Sequence, residues 1–175
     1  NMKPVDSLYF PKLDHIVTIS DICLNSLYYE FPDLKDKCCV VENICSPKFI
    51  KQSAAKGESF NDDYKGCRLV TMGRFDIWQK GIDWAVEIAK KVEEMIRDAG
   101  IEDLFILMGA KVNPYPYIAD ADIYVQPSRV EGKSVALDEV KALSKPIVVT
   151  NFPSVYDQFT DEKTALIAKM DPSDI

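Results

Sequence analysis

Apolar positions fall along the chain in short runs separated by longer stretches of helical period. Residues 15–20 (HIVTIS), 37–42 (KCCVVE), 68–72 (RLVTM), 104–108 (LFILM), 122–126 (DIYVQ), 146–150 (PIVVT) and 164–168 (TALIA) read as strands. Most are nearly continuous in apolar character, as expected of strands buried on both faces in a parallel sheet. Residues 83–98 repeat differently: Ala85, Ile88, Ala89, Val92, Met95 and Ile96 recur at i, i+3, i+4, with Glu87, Lys90, Glu94 and Arg97 opposite. That is an amphipathic helix lying on a sheet. A second helix is expected over 134–144 with Ser134 as its N-cap, and shorter ones over 22–30 and 154–159. Residues 45–65, rich in Ser, Lys, Asp and Gly, read as a surface excursion. Strands alternating with helices predict an α/β fold with a doubly wound parallel sheet, Rossmann-like, in one domain over 1–175. No internal repeat or low-complexity tract interrupts it.

Open parallel sheets take ligands in the crevice beyond the carboxyl ends of their strands. The residues leaving these ends are Asn43, Gly73-Arg74, Gly109, the run from Pro127 to Gly132, and Asn151. Two exits carry chemistry. In the first, Arg74 leaves a strand directly and Lys80 stands before a helix, so the pair could close on a diphosphate, and Gly73 would let backbone approach it. The other reading makes Arg74 and Lys80 surface residues paired with Asp76 or Asp83. In the second, Glu131 sits in a loop, Gly132 frees the turn, and Ser134, Val135 and Ala136 offer the amides of a helix N-terminus to an anion. Glu131, and Glu139 more than a turn into that helix, suit hydrogen bonds from sugar and ribose hydroxyls. The bare Glu-x7-Glu spacing decides little, because Glu94 and Glu102 repeat it across a helix end. Only Glu131 follows a buried strand and precedes a capped helix.

Composition narrows the partners. The 175 residues are 47% hydrophobic and 28% charged, an ordinary globular balance, with a formal net charge of -7. That acidity argues against nucleic acid and against anionic lipid headgroups as partners of this segment. Cys23, Cys38, Cys39, Cys45 and Cys67 form no CxxC pair, and the one histidine is His15, so zinc spacing is absent. Cys38, Cys39 and Cys67 are expected to be buried small hydrophobes, in keeping with a reducing cytosol. No leader or membrane-spanning apolar run is found, so the segment is expected to be cytoplasmic. Peripheral contact of a longer parent protein with the inner membrane face stays open. Asp120-Ala121-Asp122 matches a metal-holding Asp-x-Asp by spacing, but it enters a buried strand and reads as structural. Neither GxGxxG nor a P-loop follows any strand, which disfavours a dinucleotide-dependent dehydrogenase.

Together, RLVTMGRF…WQKGIDWAVEIA, ADIYVQPSRVEGKSVALDEVKALSKPIVVT and HIVTISD…VVEN resemble the C-terminal, donor-binding domain of family 4 glycosyltransferases of the GT-B fold. The flavour is that of bacterial capsular and exopolysaccharide transferases. The resemblance implies one half of a GT-B fold, hexosyl transfer with retention at the anomeric carbon, no cofactor and no metal, and a nucleotide-diphosphate sugar as donor. It implies that Arg74 and Lys80 hold the diphosphate beside Gly73, and that Glu131 binds the transferred sugar close to the reacting carbon. Glu139 would bind the ribose, and the Ser134, Val135 and Ala136 amides the sugar and distal phosphate. Backbone at Lys111 and Val112 would meet the base. Catalysis would rest on Glu131, Arg74 and Lys80.

A saccharide or lipid-linked acceptor would bind an N-terminal domain absent from this chain, which alone would be inactive. His15 is expected to cap or enter the core rather than replace that domain's histidine. Closing helices would lie beyond Ile175, and one strand–helix unit of the family pattern is absent between Gly100 and Ile101, through shortening or omission. Lys133 stands where the family often has an aromatic residue. Competing readings are a sugar- or nucleotide-binding module without catalysis, and another GT-B enzyme such as a nucleotide-sugar epimerase or a glycogen-type phosphorylase.

Overall fold

The computed structural model describes residues 8–73, Trp84, Ile106 and residues 108–171. Two compact units divide the chain, Asn1–Ile44 and Cys45–Ile175. In the first, strand β1 (Ile16–Thr18) pairs in parallel with β2 (Cys38–Val40), Val17 lying opposite Cys39. Between them helix α1 (Asp21–Glu30) starts where the Ser20 hydroxyl accepts from the Cys23 amide at 3.2 Å, satisfying one of the helix's orphan donors. Leu27 of α1 and Leu34 of the following 3₁₀ turn (Pro32–Lys37) are buried.

The second unit holds a four-stranded parallel sheet, β3 (Leu69–Val70), β4 (Ile123–Gln126), β5 (Ile147–Thr150) and β6 (Leu166–Ala168), hydrogen-bonded in that order. Tyr124 pairs with Val70 on one side and Ile147 on the other. A crossover links each neighbour to the next, as parallel strands require. The predicted α/β class with a parallel, Rossmann-like sheet is therefore the fold found. The core of this unit gathers Ile118, Tyr124, Leu137, Val140, Ile147, Val149, Phe152, Val155, Phe159 and Ala165. Each large apolar side chain fully buried there contributes roughly 1.5–3 kcal/mol.

Every predicted strand that lies among the described residues is present, trimmed at its ends. Of the run at 104–108, Ile106 and Met108 alone are described. The helix predicted at 83–98, represented here by Trp84, and the junction of Gly100 and Ile101 otherwise lie outside the described residues. Helix α4 (Val135–Ala142) matches the expectation for 134–144, and it stops where Ser144 turns left-handed at φ 56°. The helix expected at 154–159 is a 3₁₀ turn, Val155–Asp157.

Several expectations are corrected. The stretch 45–65 is not mere excursion. Helix α2 (Pro47–Ala54) occupies it, with the Ser46 hydroxyl accepting from Phe49 N, and buries Ile50 while packing on α3 (Tyr115–Asp120) and α4. Burial on both faces describes β4 and β5, but Val17, Leu69 and Leu166 are more than half exposed. Cys39 and Cys67 are exposed and Cys38 half-buried, because Cys39 alternates to the other face of β2 and Cys67 lies in the approach to β3. His15 precedes β1 and is exposed, so it is no core residue. The Asp120-Ala121-Asp122 reading as structural holds. Ala121 is buried, and the Asp122 carboxylate accepts from Arg68 N at 2.7 Å, tying the approach of β3 to that of β4. No described helix is long and apolar enough to cross a membrane.

Candidate donor-binding site

Alternation along β4 starts the site. Tyr124 and Gln126 share a buried face, so the strand ends with a polar amide pointing where apolar residues would otherwise go. A buried amide must find partners. The Gln126 Nε2 group donates to Glu131 Oε1 at 3.1 Å and lies 2.9 Å from the Ser134 hydroxyl. Ser128, fully buried just past the strand, donates to the same Glu131 oxygen at 2.8 Å. Two donors on one carboxylate oxygen fix its direction, and hydrogen bonds to a charge contribute roughly 1.5–3 kcal/mol apiece.

The main chain of this loop is held as well. Ser154, after β5, donates to Glu131 O at 2.7 Å. The Thr150 hydroxyl at the end of β5 reaches Gln126 O at 3.3 Å and also Ser128 O. Glu131 is thus placed by β4, by β5 and by the loop that leaves β5. On the loop's other side the Arg129 guanidinium stacks over the Trp84 ring, 3.7 Å from its centroid.

At the head of α4 the structure departs from expectation. Ser134 is the N-cap by position, but its hydroxyl faces Gln126 and makes no capping bond. Its amide, expected to meet an anion, donates to Gln158 Oε1 at 2.9 Å. Gln158 Nε2 returns to Ser134 O at 3.0 Å and to Asp138 Oδ1 at 3.1 Å, so one side-chain amide caps the helix from outside. Val135 and Ala136 are the predicted anion-binding amides that this pairing leaves to the first turn. Val135 is exposed and Ala136 half-buried.

Glu139, in the second turn, is half-buried, and its Oε1 accepts from the Tyr115 hydroxyl at 2.8 Å. Burial, then that hydrogen bond and the charge of Glu139, push the Tyr115 phenol up to about 12. Both glutamates also act on Tyr124. Its hydroxyl donates to Met72 O at 3.2 Å, next to Gly73, and burial followed by the charges of Glu139 and Glu131 raises its pKa well above the ordinary tyrosine value. Glu131, Glu139 and the backbone leading into Gly73 therefore converge around one buried phenol.

Lys111 and Val112 are exposed, two residues beyond Gly109, which is left-handed at φ 66°. The Lys111 ammonium stands 5.3 Å from the Tyr117 ring centroid, and two residues separate Val112 from Tyr115, which bonds Glu139. Arg74 and Lys80 lie outside the described residues.

The sequence pattern of the family "Glycosyl transferases group 1" matches residues 58–175, which include this entire arrangement. The chain belongs to that family. A curated relative of this glycosyltransferase chain is N-acetylgalactosamine-N,N'-diacetylbacillosaminyl-diphospho-undecaprenol 4-alpha-N-acetylgalactosaminyltransferase of Campylobacter jejuni subsp. jejuni serotype O:2. It is 26% identical over 186 residues, 94% of this chain and 49% of the relative. The chain thus spans about half the length of the curated relative it matches.

Solved structures agree on the fold. A glycosyltransferase from Rickettsia africae ESF-5 superposes with a TM-score of 0.71 at 14% identity, over 99% of this chain and 55% of its own. The Anabaena protein HepE in complex with UDP gives 0.63 at 10% identity, over 89% of this chain and 50% of its own. The glycosyltransferase resemblance drawn from the motifs is borne out by the family pattern, and the fold it implies by these structures.

Sequence reasoning gave no role to five residues of this candidate site: Tyr115, Gln126, Ser128, Ser154 and Gln158. Gln126 and Ser128 were legible in principle, since a Gln in phase with Tyr124 in an apolar strand demands a buried partner. Nothing local marks Gln158 or Tyr115, which reach α4 from 24 residues away on either side.

Proposed function

We propose that this chain is the donor-binding, C-terminal half of a retaining, metal-independent glycosyltransferase that takes a nucleotide-diphosphate sugar. The observation that carries the reading is the pair Glu131 and Glu139, set on either side of the first turn of α4 at the exit of a buried strand. The carboxylates are acceptors for sugar and ribose hydroxyls, and the Val135 and Ala136 amides are donors for the distal phosphate. Arg74 and Lys80, from the segment after Gly73, would add the cations that neutralise the departing diphosphate. Lys111 and Val112 would offer backbone to the base. Glu131, held by Gln126 and Ser128, would meet the transferred sugar near the reacting carbon.

In this reading bond breaking is favoured by preorganised charge at the leaving diphosphate, and the acceptor comes from the half that this chain lacks. The Campylobacter relative's name supports a lipid-linked saccharide acceptor and an α linkage. From an α-linked nucleotide sugar, that linkage is retention. UDP in the HepE complex supports a nucleoside diphosphate in a fold of this kind. The parent protein would work at the cytoplasmic membrane face.

The test is calorimetric titration of the chain with UDP, GDP, ADP and their sugar conjugates, with and without a chelator. Saturable binding of one diphosphate, indifferent to chelator and weakened in Lys80→Ala, is expected. Binding that collapses on chelation would remove metal independence, and absence of binding would remove the donor role.

A further inference from the structure

Glu139 does not stand alone. Its Oε1 accepts from Tyr115, and among the described residues no other hydrogen-bond partner of that carboxylate is found. Tyr115 opens helix α3, and its position is set from several directions. Its ring packs against the core and meets Phe49 of α2 edge-on, with centroids 6.5 Å apart at 88°. Its amide is 3.4 Å from Asn113 Oδ1. The Asn113 Nδ2 group in turn donates to Ser53 O at 2.8 Å and Lys56 O at 2.7 Å, closing the end of α2. Helices α2 and α3 therefore brace one phenol that points at α4.

From this geometry we infer that Tyr115 is a positioning residue for ribose recognition, directing the Glu139 carboxylate at the vicinal diol of the bound nucleotide. The inference rests on the donor-binding reading of Glu139. A glutamate side chain has three rotatable bonds, and ordering it on binding costs affinity. A hydrogen bond made beforehand by a rigid ring removes part of that cost. It occupies one oxygen and presents the other to two adjacent hydroxyls. The phenol remains a donor throughout the working pH range, because burial and Glu139 hold its proton.

The experiment separates this role from the parent reading. UDP, GDP and ADP are titrated into the chain, and the one that binds is compared with its 2'-deoxy counterpart and with pyrophosphate. The same set is run on Glu139→Ala and Tyr115→Phe. The native chain is expected to prefer the ribonucleotide by about tenfold or more, the range for hydroxyls bonded to a charge. Glu139→Ala should erase the preference. Tyr115→Phe should cut it by about three- to tenfold while pyrophosphate affinity stays unchanged. If Tyr115→Phe keeps the full preference while Glu139→Ala loses it, Tyr115 does not position the carboxylate. Equal weakening of pyrophosphate and nucleotide in Tyr115→Phe would make it a packing residue only. If Glu139→Ala keeps the preference, or no nucleotide binds, the donor reading fails rather than the positioning role alone.

Discussion

Ser128 shows how much of the site is fixed by a single hydroxyl. It is fully buried, and it donates to Glu131 while its own carbonyl accepts from Thr150. Ser128→Ala removes one of the donors to the Glu131 oxygen. A cost of about 1–3 kcal/mol in urea denaturation is expected, the range for a buried acceptor deprived of a partner. A change below about 0.3 kcal/mol would mean that water replaces the hydroxyl. Tyr115 gives a prediction with a definite sign. Its ordinary value is 10.0, and the fold pushes it up to about 12. Between those two values the unfolded chain has released the phenolic proton and the folded chain keeps it. Stability supplied by that proton is intact below pH 10 and is lost as pH rises to about 12. Denaturant midpoints measured across this window should fall more steeply for the native chain than for Tyr115→Phe. Parallel curves would show that burial and Glu139 do not raise the phenol in the folded chain.

At the scale of elements, α4 is the lever on which the site turns, and both of its ends are unusual. Its start is capped by Gln158 in place of the Ser134 hydroxyl, and its end passes through Ser144 at φ 56°. A left-handed conformation costs an L-residue about 1–2 kcal/mol and glycine nearly nothing. Ser144→Gly is therefore expected to raise stability by about 1 kcal/mol in thermal or urea unfolding, without altering ligand affinity. A loss of stability would place the serine side chain in a role the backbone does not reveal. The same helix marks how far sequence reading reaches. Its period, its start near Ser134 and its stop before Pro146 were legible, because Leu137 and Val140 fall on one buried face. Helices α2 and α3 were not. Each is short, α2 buries Ile50 alone, and α3 is six residues long with Pro116 in its first turn, so neither produces a periodic run. The Ser46-Pro47 pair was the available clue, a cap followed by proline at the first helical position. The strands were legible by apolar continuity. The Tyr115 partner of Glu139 and the Gln158 cap of α4 were not, because they come from elements 24 residues away in sequence, and only packing brings them together.

For the whole molecule, family membership and length pull in different directions. The family pattern covers residues 58–175, yet the chain spans 49% of the curated relative. On the proposed reading the elements described here supply contacts to the donor, and the acceptor is held by the remaining half of the protein. Binding and turnover should therefore separate. The 175-residue chain is expected to bind a nucleoside diphosphate, and to release no sugar to an acceptor. Joined to an acceptor-binding half, it is expected to transfer the sugar with its anomeric configuration kept. The check is proton NMR of the product formed from an α-linked nucleotide sugar by the combined protein. An α product supports the electrostatic route, in which the diphosphate leaves against Arg74, Lys80 and the amides of α4. A β product would require an in-line displacement from the opposite face, and would remove Glu131 from the role of a group beside the reacting carbon. Because Gln126 and Ser128 hold that carboxylate in place before any sugar arrives, their substitution should slow transfer more than it weakens diphosphate binding. Equal losses in both would instead locate Glu131 on the nucleotide and not on the sugar.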